Sequence, residues 1–292
     1  MGVFGTACPV PGALRKGLGW FPLNEESRFL SFSGLRIHFN LARPVVPVKN
    51  RMLMLSGPLI NTFHWRKLLP ELTELGCLCV LVDLPGFGQS DTGAPQGDNM
   101  RANFIWGVLD DVDEAAGAPM SMWHLAGHGL ACGTILRMAA MYPDSVKSQI
   151  HIAPTFSACP QGRDGDPGRW FDAHIPNPQR FRRLVEHYAG YPMDDYIVDR
   201  MQRPLLRPGA RSTFEQMLKH AAAPPRQDMG FCPTMALIGG RDLLIDEARQ
   251  AQVRTLLKDA ETHLIRSAGH FPMETHSKAM RDYLRGWLRY ND

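Results

Sequence analysis

The 292-residue chain has no Cys-x-x-Cys pair, no block of like charge and no apolar run near the length of a membrane span. Each absence removes a class of function. Crossing a bilayer as a helix takes about 20 consecutive apolar residues, so no membrane segment is expected. Residues 1–20 also lack the basic start and apolar middle of a secretory signal, and the expected localisation is cytoplasmic. The 32 basic and 29 acidic residues are interspersed and leave a formal net charge of +3. No basic stripe follows from that mixture, so nucleic acid is not an expected partner. The six cysteines fall singly, with Cys77 and Cys79 alternating in an apolar stretch and Cys132 and Cys232 in apolar surroundings. That pattern suits buried thiols rather than disulfides or metal ligands, and no metal or cofactor is expected.

What is present is a hydrophobic content of 44%, enough for one large core, or one core with a lid. Residues 1–26, containing "CPVPGALRKGLG", are rich in Gly and Pro without a period and read as an N-terminal arm. "RFLSFSGLRIHFNLA" alternates on both sides of Ser33-Gly34, which predicts a β-hairpin at a sheet edge. "RMLMLS" and "CLCVLVD" are continuous apolar runs flanking "HWRKLLPELTELG", whose leucines recur at helical spacing. This is a strand, helix, strand unit of a parallel sheet. The rhythm continues with a helix near 99–116, strand "MWHLAG", helix 130–141 stopped by Tyr142-Pro143, and strand "SQIHIA". Strand "TMALIGG", helix 246–258, strand "THLIRS" and helix 274–289 complete it. Such alternation predicts a doubly wound α/β sheet with ligands bound beyond the carboxyl ends of its strands.

Residues 155–230 interrupt the alternation. They open with "CPQGRDGDPGRW" and continue with helical patches, "RFRRLVEHYAG" and "STFEQMLKHAAA". An insertion of this size is too long for a simple loop and too polar for a separate domain; it reads as a helical cap over the sheet's carboxyl edge.

One stretch, "LAGHGLACGTILRMAAMYP" at 125–143, has the form of strand, tight turn and helix, with Gly129 at the turn. Together with four other segments it carries a resemblance. "LSGPLINTFHWRKLLPEL", "VDLPGFGQSD", "GGRDLLI" and "SAGHFPMETH" resemble, in chain order, the loop after strand three, the loop after strand four, the acid loop and the histidine loop of the α/β-hydrolase fold family. From about residue 28 onward the chain is similar to the branch of that family with a cap after its sixth strand. The resemblance implies a doubly wound, mostly parallel sheet of α/β-hydrolase type with a helical cap inserted after the sixth strand. It divides the chain into the arm at 1–26, core at 27–154, cap at 155–230 and core at 231–292.

In that family the turn reads G-x-S-x-G, with a strained serine followed in the chain by an acid and a histidine. Aligned residue by residue, Gly127 and His128 fit, Gly129 takes the serine's place and Ala131 that of the second glycine. Asp242 stands at the acid position and His270 at the histidine position. The family's His-Gly at the end of strand three is Ser56-Gly57 here, and the following residue, which normally offers a backbone N–H to the oxyanion hole, is Pro58, which has none. Losing one such donor costs about a hundred to a thousandfold in rate, unless a shift of register lets Leu59 substitute. The resemblance thus assigns Ser56, Gly57, Pro58, Leu59, His128 and Leu130 to the pocket and oxyanion region, with Phe156, Trp170 and Phe271 as candidate pocket wall.

Without a side chain at residue 129 no alkoxide forms, and the acyl-enzyme route is closed. Two functions fit. In one, His270, oriented by Asp242, is a general base acting on a small, mainly apolar carbonyl compound through water addition, elimination or ring closure, or cofactor-free oxygenation. In the other, the pair is inherited framework, and the protein is a pseudoenzyme that binds a small molecule or a protein partner, as a monomer or homo-oligomer. Asn61, Thr62 and His64 are candidate polar contacts or loop caps; Cys132 is expected at the helix–sheet interface, Asp83 as the anchor of "LPGFG", Trp65 and Trp106 in the core, and "LDDVDE" on a solvated helix face.

Overall fold

The computed structural model describes residues 25–32, 34–93, 97–118, 121–156, 166–220, 232–245 and 247–291. The expected hairpin forms as β1 (Glu25–Phe32) and β2 (Leu35–Ala42), antiparallel, with Glu25 paired to Ala42. Glu25 and Glu26 therefore belong to the edge strand rather than to the arm, whose residues 1–24 lie outside the described residues. Six strands follow: β3 (Asn50–Leu55), β4 (Cys77–Val82), β5 (Trp123–His128), β6 (Val146–Ile152), β7 (Thr234–Gly239) and β8 (Glu261–Ile265). The sheet order is β1-β2-β4-β3-β5-β6-β7-β8, with β2 antiparallel to β4 and every pairing from β4 onward parallel. The central strands β4 and β5 are buried at every residue, the consequence of helices covering both faces. At the β8 edge, burial falls to Ile265 alone.

Between strands the chain forms α1 (Leu69–Glu74), α2 (Asp98–Ala115) and α3 (Ala131–Met141), and after β6 α4 (Pro167–His174), α5 (Pro178–Ala189), α6 (Asp195–Leu205) and α7 (Ala210–His220). These last four are the cap. Three of them begin at a side-chain cap: Asp166, Asn177 and Asp194 each accept a backbone N–H from the first turn. The helix α8 (Glu247–Leu256) lies between β7 and β8. The C-terminal helix expected over 274–289 is instead two pieces, α9 (Pro272–Thr275) and α10 (Ser277–Tyr290). His276, at φ −131° and ψ 38°, leaves helical geometry between them.

A main core joins the sheet to the helices and reaches into the cap through Trp170, Phe171, Phe181 and Phe214. Trp65 and Trp106 are buried in it. A smaller cluster around Cys132, Leu136, Val253 and Leu257 packs α3 and α8 against β7. Of the acidic run on α2, Asp110, Asp111 and Glu114 are exposed, but Asp113 is buried: it accepts the Trp123 indole N–H at 3.0 Å and lies 3.5 Å from Arg51. A carboxylate facing a core indole and a guanidinium is held by them, so the run is not uniformly solvated.

Candidate active site

Five chain segments converge at the carboxyl ends of the parallel strands: the turn after β3, the elbow after β5, the segment after β6, and the loops after β7 and β8. Gly129 follows β5 directly with φ +58°, the left-handed region that costs other residues energy. Its neighbours leave little room. A Cβ on Gly127 would come within 3.1 Å of the Ala131 and Cys132 backbone, and one on Gly57 within 3.0 Å of the His128 carbonyl. The elbow is therefore built where three backbones nearly touch, and it is stitched to β6 by Gly129 N–H to Ile152 O at 3.0 Å and Thr155 N–H to Gly129 O at 3.3 Å.

His270 Nδ1 lies 2.8 Å from Asp242 Oδ2, with both side chains almost wholly buried. The other oxygen of Asp242 accepts the Leu244 backbone N–H at 2.9 Å. Because a carboxylate only accepts, this contact makes Nδ1 the donor, and in the neutral ring Nε2 is then the acceptor. Nε2 makes no hydrogen bond among the described residues; it faces the elbow. A Cβ placed on Gly129 would lie 3.3 Å from Nε2 and 3.7 Å from Thr155 Oγ1.

The His270 loop is held by the cap as much as by the sheet. Its N–H donates to Tyr188 O at 2.8 Å, at the end of α5. Below it, His128 Nε2–H donates to the His270 carbonyl at 2.7 Å, while His128 Nδ1 has no partner among the described residues. Burial, reinforced by the neighbouring His270, pushes the His128 pKa well below its ordinary value, so His128 is a neutral prop beneath the loop.

The pocket at this junction encloses about 60 Å³. Gly57, Pro58, Leu59, His128, Gly129, Leu130, Trp170, His270 and Phe271 all line it, as do residues that motif reading did not single out: Thr155, Tyr188, Phe214, Leu218, Leu244 and Arg249. Among the described lining residues Arg249 alone carries a permanent charge. The cap contributors carry no motif because their only requirement is apolar bulk. Thr155, by contrast, stands just beyond the carboxyl end of β6, where the general rule for parallel sheets directs attention.

Two residues expected in the pocket lie elsewhere. Ser56 is buried with its Oγ accepting the Trp65 indole N–H at 2.9 Å, so it braces the loop from below. Phe156 packs into the smaller core with Cys132, Leu136 and Val253, leaving its neighbour Thr155 to face the cavity. Asn61, Thr62 and His64 do not line the pocket either. Asn61 caps the short turn at Thr62–Trp65, and Thr62 N–H donates to Asp83 Oδ1 at 2.9 Å. His64 is fully buried, and that burial lowers its pKa to about 4. Asp83 also accepts the Gln89 N–H and faces His38 Nδ1 at 2.7 Å, which fastens the "LPGFG" turn. Cys132 is buried with Sγ toward Gly127 O, and burial drives its thiol pKa far up.

The chain matches the model of the Alpha/beta hydrolase family over residues 52–282, and with this fold it belongs to that family. Curated relatives include the 2-hydroxy-6-oxononadienedioate/2-hydroxy-6-oxononatrienedioate hydrolase of Cupriavidus pinatubonensis, 25% identical over 78% of this chain and 82% of the relative. The hydrolase of the same name from Escherichia coli K12 is 22% identical over 90% of this chain and 95% of the relative. Among solved structures, a serine hydrolase from the polyaromatic hydrocarbon-degrading bacterium Cycloclasticus zankles superposes with a TM-score of 0.74 at 17% identity, covering 91% of this chain and 98% of that one. The epoxide hydrolase CorEH gives 0.73 at 15% identity, covering 92% and 100%. At these identities the structural matches speak to fold alone. Among the described residues no helix is long and apolar enough to cross a membrane.

Proposed function

We propose that the protein is a hydrolase-fold catalyst that has dispensed with a serine nucleophile and works by general-base activation of water. His270 is the base and Asp242 its orienter, and the substrate is a small, largely apolar compound with a reactive carbonyl. The observation that carries this reading is the 3.3 Å between the side-chain position of Gly129 and His270 Nε2. A serine there would present its hydroxyl to the imidazole; glycine leaves that space to a reactant. Water gives a proton to Nε2 as its oxygen bonds to the carbonyl carbon, and the imidazolium, stabilised by Asp242, returns the proton to the leaving group. The backbone N–H groups of Leu59 and Leu130 donate to no group among the described residues and border the same cavity, which supports them as stabilisers of the developing oxyanion in place of the donor that Pro58 lacks. The relatives' names, which include an oxo group, favour a ketone among carbonyl compounds.

The test uses 2-hydroxy-6-oxononadienedioate and p-nitrophenyl butyrate as probes. Turnover by the parent that falls about 10²–10⁴-fold in His270→Ala, with no covalent labelling by a fluorophosphonate, supports the reading. Unchanged turnover in His270→Ala, or labelling of the parent, overturns it. Pro58 favours a second reading, a binder without chemistry. Tight binding of either probe with no turnover by the parent would select it.

A further inference from the structure

We infer that Thr155 is a catalytic residue of this pocket: its hydroxyl and His270 Nε2 together hold the attacking water in the cavity over the bare Cα of Gly129. The inference rests on the general-base reading above and assigns it a second contact.

Three observations converge on Thr155. First, the Gly129 side-chain position is 3.7 Å from Thr155 Oγ1 and 3.3 Å from His270 Nε2, so both polar atoms border the same open side of Gly129. Second, Thr155 Oγ1 makes no hydrogen bond among the described residues, although the residue is only 8% exposed and lines the cavity. Facing the cavity without a protein partner among the described residues, this hydroxyl is left to bond whatever water or ligand group the pocket holds. Third, the backbone goes out of its way to place it. Ala153 adopts φ 45°, the one positive φ among the described non-glycine residues, at a cost of order 1 kcal/mol. That residue donates to Leu237 O at 2.8 Å, and two residues later Thr155 N–H returns to the Gly129 carbonyl at 3.3 Å. The turn thereby folds the end of β6 back across the elbow.

A second contact of this kind serves the chemistry by orienting the water. A water held by Nε2 alone can swing its lone pair away from the carbonyl carbon. When Thr155 Oγ1 accepts its second O–H, the water's orientation is fixed. Nε2 takes the first proton, the oxygen lone pair forms the new C–O bond, and the carbonyl π pair moves to the oxyanion; collapse expels the leaving group, which takes the proton back from the imidazolium. Thr155 undergoes no net change.

Crystal structures of the parent, Thr155→Val and Thr155→Ser decide the matter, alongside kinetics with p-nitrophenyl butyrate. An ordered water within about 3.2 Å of both Nε2 and Oγ1 is expected in the parent and in Thr155→Ser, and is expected to be lost in the isosteric Thr155→Val. Where the parent turns over the ester, Thr155→Val is expected to lower kcat about 10- to 100-fold with KM within about threefold, and Thr155→Ser to retain most of the rate; one lost orienting contact accounts for that range. A parent site without the bridging water, or a Thr155→Val protein that keeps the water or the parent's kcat, overturns the inference. The two failures are distinguishable. His270→Ala turning over at the parent's rate removes the base and the Thr155 inference with it, whereas an unaffected Thr155→Val beside a crippled His270→Ala removes Thr155 alone.

Discussion

In the proposed mechanism Gly129 is the residue on which the chemistry turns, and its backbone and its missing side chain make separate predictions. At φ +58° any side chain there is strained by about 1–2 kcal/mol, so Gly129→Ala and Gly129→Ser should both lower Tm by roughly 2–8 °C. They should differ in function. The alanine methyl, 3.3 Å from Nε2, occupies the reactant's place and is expected to reduce turnover as severely as His270→Ala. The serine hydroxyl meets the imidazole and is expected to create fluorophosphonate labelling that the parent lacks. Intact-mass measurement after exposure to the reagent checks the second outcome, and absence of labelling in Gly129→Ser would show that Nε2 does not face the elbow as described. At this scale the sequence was legible where chemistry imposes a motif: Asp242, Gly129 and His270 stand in a recognisable order. It was silent about Thr155, because a threonine at a strand end has no fixed partner in the chain and only the turn at Ala153 brings it to the elbow. It misled for Ser56 and Phe156, because which way a loop side chain points is set by its tertiary neighbours, here Trp65 and the Cys132 cluster.

Among the elements, the union of cap and histidine loop is the decisive one. A Cβ on Gly269 would fall 2.3 Å from Tyr188 O and 2.4 Å from Ala189 O, closer than any real contact, so the end of α5 and the His270 loop separate if this residue gains a side chain. Gly269→Ala is expected to displace His270 from Asp242, reducing turnover at least tenfold while the sheet stays folded, as near- and far-ultraviolet circular dichroism with kinetics would show. On the loop's other side, Glu274 of α9 is fastened to the turn after β3. Arg66 holds it with a pair of hydrogen bonds at 2.5 and 3.0 Å, and Lys67 lies 2.9 Å away. Burial opposes ionisation of this carboxyl, but the hydrogen bonds and charge of Arg66, with Lys67 beside it, prevail and hold its pKa below the ordinary range. Glu274→Ala leaves the part-buried Arg66 and Lys67 without their partner and should cost about 1–2 kcal/mol, measured as a lower urea midpoint. Elements of this kind were readable in the sequence wherever one period dominated: all eight strands and the helices between them follow from apolar runs and leucine spacing. The break at His276 and the tight seat of Gly269 were not, since both answer to contacts with distant chain segments.

For the molecule as a whole, the decisive property is a set of buried histidines kept neutral. Burial lowers His64 to about 4 and His151 to about 3. His128 is pushed down by burial and by His270. The unfolded chain takes up protons at these positions near pH 6.5, and the folded chain refuses them. The unfolded state therefore binds more protons below that pH, and stability rises with pH and falls as pH drops from about 6.5 toward 4. Each histidine contributes up to about 1.4 kcal/mol per pH unit, so the three together approach about 4 kcal/mol per unit, enough to unfold a domain of ordinary stability near pH 5. Glu274 acts in the same direction at lower pH: its depressed pKa adds stability that is present above the unfolded carboxylate range and is lost as pH falls through the folded value. Urea unfolding measured from pH 7.5 to 5 should show this slope. Replacing His151, whose ring nitrogens have no partner among the described residues, with leucine should remove about one proton's share of it without affecting the pocket, which His151 does not line. A stability independent of pH across that range would mean that these rings are hydrated or charged in the folded protein. The neutral prop under His270 would then be lost as well, because a charged His128 would lie against the imidazole proposed to accept the proton.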